Sequence, residues 1–175
     1  MQAKIGSDHT NNQIYIERVS SNRTEALFLA LMFISLLLLL WRVNTVRWGF
    51  FAVACLFFFI LFLFYSLNYR ILVIELTSQS LKLKFGLFTW TVPMGNIEEY
   101  RLDEIPLFMR MGGAGIHFMM IRQRYRASFN FLEYSRIVIS FKRKVGPVRD
   151  ISFSTRKPDE VLRLIQDLVP ANAST

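Results

Sequence analysis

Two uncharged runs constrain this chain more than any other feature. Residues 26–41 and 48–69 contain no Asp, Glu, Lys, Arg or His. A bilayer core of about 30 Å needs about 20 apolar residues of helix. The second run meets that length by itself. The first meets it when Thr24 and Val43 are counted and Arg42 reaches outward to the headgroups. Between them, Arg42-Val-Asn-Thr-Val-Arg47 has the length of a helix–helix connection. The expectation is a hairpin of two antiparallel transmembrane helices over residues 24–69, at about 24–43 and 48–67. Two buried core helices are the competing reading, but the rest of the chain is too small to cover two helices that are apolar all round. A cleaved signal peptide needs one shorter apolar stretch and a small-residue cleavage site. Here Trp41-Arg42 follows the first run, and a second run comes six residues later.

Composition supports this division. The chain is 53% hydrophobic and 19% charged, against about 45–50% and about 25% in soluble domains. That excludes disorder, which needs low hydrophobicity, and a single cysteine excludes a disulfide scaffold. The formal charge is nonetheless +8, and it lies largely beyond residue 69, where 16 Lys/Arg face 10 Asp/Glu. The positive-inside rule counts Lys and Arg near the span ends. The two arginines of the link are outweighed by the two flanks together, so both termini are expected in the cytoplasm, with the chain in the cell (inner) membrane. Cys55 sits in the middle of the second run and says nothing about redox compartment.

The runs carry no groups for an ion or proton pathway and no Gly-x-x-x-Gly packing motif. The second carries Phe50, Phe51, Phe57, Phe58, Phe59, Phe62 and Phe64. Both a lipid-facing surface and an aromatic surface for a partner's helices or pigments fit that pattern.

Beyond Tyr69 the period changes to two. Ile71–Leu76, Leu81–Phe85, Phe88–Val92, Asn96–Leu102, Ile116–Ile121, Arg136–Phe141 and Val148–Phe153 read as strands, with Tyr125–Asn130 as a short eighth. Gly146-Pro147 marks a hairpin between the last two of the main set. Ser154 and Thr155 offer capping hydroxyls, and Pro158 suits a first helical turn. Val161, Leu164, Ile165 and Leu168 then form one apolar stripe before Pro170. A small antiparallel β-barrel or sandwich closed by a C-terminal amphipathic helix is therefore expected over residues 70–169. Residues 1–23 read as a polar N-terminal segment, and 170–175 as a tail.

Seven strands and a terminal helix form the pleckstrin-homology layout, and the residues resemble the bacterial pleckstrin-homology-like domains that are attached to a membrane hairpin. Three places carry the resemblance: Tyr69-Arg70-Ile71 through Leu83; Met111-Gly-Gly-Ala-Gly-Ile-His117, similar to the family's glycine-rich entry to its middle strand; and Ile137–Phe141 followed by Ile151–Glu160 running into Leu162–Ile165. Ala114 stands where the family pattern carries a Trp. The resemblance covers about residues 68–169. It implies a pleckstrin-homology-like fold and an adaptor role at the membrane, and it supplies no catalytic residues. A more distant similarity of plan, a hairpin and then a small β domain, exists with thylakoid photosystem I assembly factors.

No enzyme chemistry is expected. His9 and His117 have no Cys or carboxylate at metal-ligand spacing, and no Gly-x-Ser-x-Gly turn exists. Gly112-Gly113-Ala114-Gly115 lacks the Lys-Ser/Thr of a phosphate loop. It reads instead as a place where glycine permits positive φ or a bulge on entering a strand. Glu98, Glu99, Asp103 and Glu104 read as a solvated face or a dock for a basic partner. No cofactor or metal is expected. Nucleic acid is not expected as a partner, since the aromatics are needed for the core and no recognition motif is present.

Charge gives the first site expectation. If residues 122–126 are extended, Arg122, Arg124 and Arg126 share one face; Lys142, Arg143 and Lys144 flank the Gly146-Pro147 turn. These six are candidate contacts to anionic lipid, each basic residue near such a leaflet contributing about 1 kcal/mol. The second expectation is the apolar stretch Ile105–Met111. Leu107, Phe108, Met109 and Met111 are candidate partner contacts, or else they cap the barrel. The chain reads as a non-enzymatic binding or scaffold module that engages the bilayer and a membrane or cytoplasmic protein. An accessory or assembly subunit acting through its helices is the alternative.

Overall fold

The computed structural model describes residues 13–45, 49–103, 114–121 and 123–169. Strand β1 (Gln13–Ser20) is followed by helices α1 (Asn22–Thr45) and α2 (Phe50–Asn68). Then come β2 (Ile71–Thr77), β3 (Ser80–Phe85), β4 (Phe88–Pro93), a 3-10 turn (Met94–Asn96) and β5 (Ile97–Leu102). The rest is β6 (Gly115–Ile121), β7 (Arg124–Asn130), β8 (Ser135–Val145), β9 (Val148–Thr155) and helix α3 (Pro158–Leu168).

α1 starts where its side chains satisfy the first free N–H groups. Ser21 Oγ accepts from the Thr24 N–H, and Glu25 stands in the first turn. At 19 residues, α2 is about 28 Å long. Both helices are long and apolar enough to cross a membrane, and the rest of the chain leaves most of their surface open. Phe50, Leu37 and Phe57 are among the most exposed side chains in the molecule. Where the helices touch, Ala52, Cys55, Ser35 and Ser66 are buried, and such small side chains let helices approach closely.

The β region is two sheets, ordered β1-β2-β3-β4 and β5-β8-β9-β7-β6. Alternation sends Leu72, Ile74, Leu76, Leu81, Leu83 and Phe85 of the first sheet inward. They meet Ile137, Ile139, Phe141, Ile151, Phe153 and Phe129 of the second. Val161 and Ile165 of α3 join this core, with Leu164 and Leu168 partly buried beside them. The Gly146-Pro147 hairpin forms as expected, with Val145 opposite Val148.

Three expectations need correction. Residues 13–20 are not a polar lead-in: β1 runs antiparallel to β2, pairing Glu17 with Ile74 and Ser20 with Ile71. The sheets are not wholly antiparallel, because β9 lies between β7 and β8 and runs parallel to β7. Ser154 and Thr155 do not cap α3. Its N-cap is Lys157, without a side-chain cap bond, while Thr155 Oγ1 binds Glu17 and accepts from the Lys157 N–H.

Candidate functional site

Two regions of the β domain concentrate specific interactions: the end next to the helices and the buried polar face of the second sheet, opposite its apolar core face. At the helix end, α1 leaves β1 directly and α2 enters β2 directly, so pairing of β1 with β2 fastens both outer ends of the hairpin to one sheet. Further bonds tie this junction down. Tyr134 Oη donates to the Ser20 carbonyl at 2.8 Å, and Arg156 Nη2 to the same oxygen at 3.0 Å. Arg156 also lies over the Tyr134 ring. Glu17 accepts from Tyr15 Oη, Thr155 Oγ1 and the Arg156 N–H, which joins β1 to the lead-in of α3. Burial, and then the Glu17 carboxylate, push the Tyr15 phenol well above its usual range. Arg70 and Glu25 pair at 2.7 Å, clasping the start of α1 to the end of α2.

Tyr69 is the centre of this junction. It is buried, and its ring lies 5.0 Å from Phe85, 5.1 Å from Tyr65 and 6.3 Å from Phe88. Two glycines make the contact possible. Gly115 opens β6 at φ +87, and a Cβ there would lie 2.8 Å from the Tyr69 ring; this is the positive φ expected of the glycine-rich entry. Gly86, at φ +59 in the two-residue turn between β3 and β4, lies against Asn68: a Cβ would sit 2.2 Å from its carbonyl oxygen.

The second region begins with Arg126. Its guanidinium, only 3% exposed, donates to Asp103 at 3.2 Å and lies 3.7 Å from Asp150. Arg124 lies 3.6 Å from Asp150, and Arg101 pairs with Glu99 at 3.2 Å. These residues rim a cleft of about 380 Å³ lined by Glu99, Arg101, Ile121, Arg124, Arg126 and Asp150. Along the same face Ser152 Oγ donates to Ser128 Oγ, and Asn130 is buried with neither amide atom hydrogen-bonded. His117 shares this face, opposite Ser128. Burial, and then the Arg136 charge, lower its pKa, which keeps the imidazole neutral. The cleft is internally neutralised: each arginine around it already faces a carboxylate. Among the described residues no group of three or more His, Cys, Asp or Glu side chains is placed to hold a metal ion.

The sequence-based candidates separate accordingly. Arg126 is buried in an ion pair rather than turned outward, because β7 needs a counter-charge for Asp150 and Asp103. Arg124 is partly exposed and shares Asp150. Arg122 lies outside the described residues, as do Leu107, Phe108, Met109, Met111 and Glu104; Asp103, expected on a solvated acidic face, is buried with Arg126. Lys142, Arg143 and Lys144 are exposed, on the part of β8 that runs away from the helix junction. β8 begins near the junction at Ser135, opposite Thr155. Lys144 is nine residues further along the strand, about 30 Å away at 3.3 Å per residue. Glu17, Tyr69 and Gly86 were missed. The β-branched Ile14, Ile16 and Val19 are the local signal for β1; the change of period marks the chain position of Tyr69, but its packing partners Phe85, Phe88 and Gly115 lie far along the chain.

Comparison with protein-family models, curated proteins and solved structures finds no match to this chain.

Proposed function

We propose that this chain is a membrane-anchored, non-enzymatic binding module: two transmembrane helices hold a pleckstrin-homology-like β domain at the cytoplasmic face, where it engages a protein partner. The observation that carries the reading is the pairing of β1 with β2 across the helical hairpin. A domain fastened through two chain crossings and the Tyr69 cluster keeps one attitude to the bilayer, which suits a scaffold. Exposed Phe118 and Met120 on edge strand β6, with Tyr125 stacked on Phe118, are the apolar surface that favours a protein partner. Lys142, Arg143 and Lys144, carried away from the helices, suit an acidic protein surface better than headgroups.

A second reading is favoured by the exposed phenylalanines of α2, among them Phe50 and Phe57. In it the chain is an accessory or assembly subunit that binds its complex through the helices. Photo-crosslinking side chains placed at Met120 and at Phe57, in native membranes, separate the two. A protein adduct from position 120 but not 57 supports the module. The reverse supports the accessory subunit, and adducts from neither count against both.

A further inference from the structure

The turn between β3 and β4 is apolar and exposed, and it stands beside the end of α2. Leu87 is 79% exposed, Phe88 46% and Ile71 47%. A two-residue hairpin turn in water favours Asn, Asp or Gly. Here Gly86 takes the required positive φ, and the other turn position carries a leucine. Exposed apolar groups that cluster need a covering surface, and position identifies it. Gly86 packs against the backbone of Asn68, the last residue of α2. Phe88 meets Tyr69, which directly follows that helix. The Arg70–Glu25 ion pair joins charged groups of both helices at this level, where charges require headgroups or water rather than hydrocarbon.

We infer that the Gly86–Phe88 turn, with Ile71, dips into the interfacial layer of the bilayer that α1 and α2 cross, giving the β domain a third attachment that involves no charge. The inference rests on the membrane reading of the two helices. The base of the turn is anchored: Phe88 and Phe85 pack on the Tyr69 ring, and Gly86 lies against the Asn68 carbonyl. Three fixed points define a plane: with both helices crossing and the turn immersed, tilting of the β domain is suppressed.

Single cysteines placed in a Cys55→Ala background of the full chain test this. Leu87→Cys is compared with Phe57→Cys on α2 and Gln79→Cys at the opposite end of the same sheet. Each is labelled with an environment-sensitive fluorophore in nanodiscs of phosphatidylcholine with some phosphatidylglycerol. All three side chains are exposed, so folding is preserved. Spin-labelled lipids should quench the labels at positions 57 and 87 at least several-fold more than iodide does, with the shallow lipid label strongest at 87. Position 79 should show the reverse. Quenching of 57 by lipid and of 87 by iodide overturns the inference and leaves the membrane reading standing. Iodide quenching at both overturns the two together.

Discussion

The two ends of the β domain are built from different materials. The end at the helices is aromatic and closely enclosed: Tyr69 is held by Phe85, Tyr65 and two glycines, and Leu87 stands apolar at the rim. The far end is a charged hairpin, with Lys142, Arg143 and Lys144 exposed around an open turn. Between them Arg126, Asp103 and Asp150 form a buried ionic group. The contrast teaches that aromatic packing and an exposed basic cluster occupy different ends of one domain. Lys142, Arg143 and Lys144 are carried along β8 away from the helices, while Arg70 and Arg156 stay at the junction.

The largest expected effect tests the ionic group. Asp150→Ala leaves Arg126 buried beside one carboxylate fewer and should cost about 3–5 kcal/mol in denaturant unfolding. Arg126→Met should cost at least as much, because it takes the counter-charge from both Asp103 and Asp150; either substitution costing under about 1 kcal/mol would show that these ions do not hold the sheet. The next effect compares the ends directly. Gly86 and Gly146 both have φ near +60, at +59 and +63, but only Gly86 is enclosed, while a Cβ on Gly146 meets open space. Gly146→Ala should cost about 1–2 kcal/mol from backbone conformation alone, and Gly86→Ala clearly more. Equal losses would mean that the turn is not locked to α2.

A smaller effect is pH-dependent. Because His117 takes a proton less readily folded than unfolded, the unfolded state gains protons first as pH falls through 6.5. Stability contributed by the neutral imidazole is therefore present above that pH and declines below it. The thermal midpoint of the native chain should drop more between pH 7.5 and pH 5.5 than that of His117→Gln; parallel declines would assign the acid sensitivity to other groups. The smallest effect is expected at the far end. Replacing Lys142, Arg143 and Lys144 together by Gln should change stability by under about 0.5 kcal/mol. It should also leave the difference between anionic and neutral nanodiscs unchanged. Loss of a lipid-charge dependence on that substitution would place the far end at a bilayer after all.

The helices were legible because their signal is local: a charge in hydrocarbon is costly enough that its absence over about 20 residues is informative by itself. Most strands were legible for the same kind of reason, since alternation such as Leu81-Lys-Leu-Lys-Phe85 states which face is buried. The stripe of α3 is a third case. β1 was within reach of that reasoning but lies before the first helix, where a strand has no neighbour in sequence to pair with. Its partner β2 comes some fifty residues later, and only the hairpin brings them together. The same limit applies to the charges. Alternation correctly gives Arg124 and Arg126 a common face, but it cannot say that Asp150 arrives on the neighbouring strand and Asp103 from across the sheet. Sequence by itself thus determined the segments, their periods and the buried side of each, because those follow from nearest neighbours along the chain. Which end faces the helices, which arginine is buried and which apolar turn is exposed were decided by tertiary structure, because each depends on residues that only folding makes adjacent.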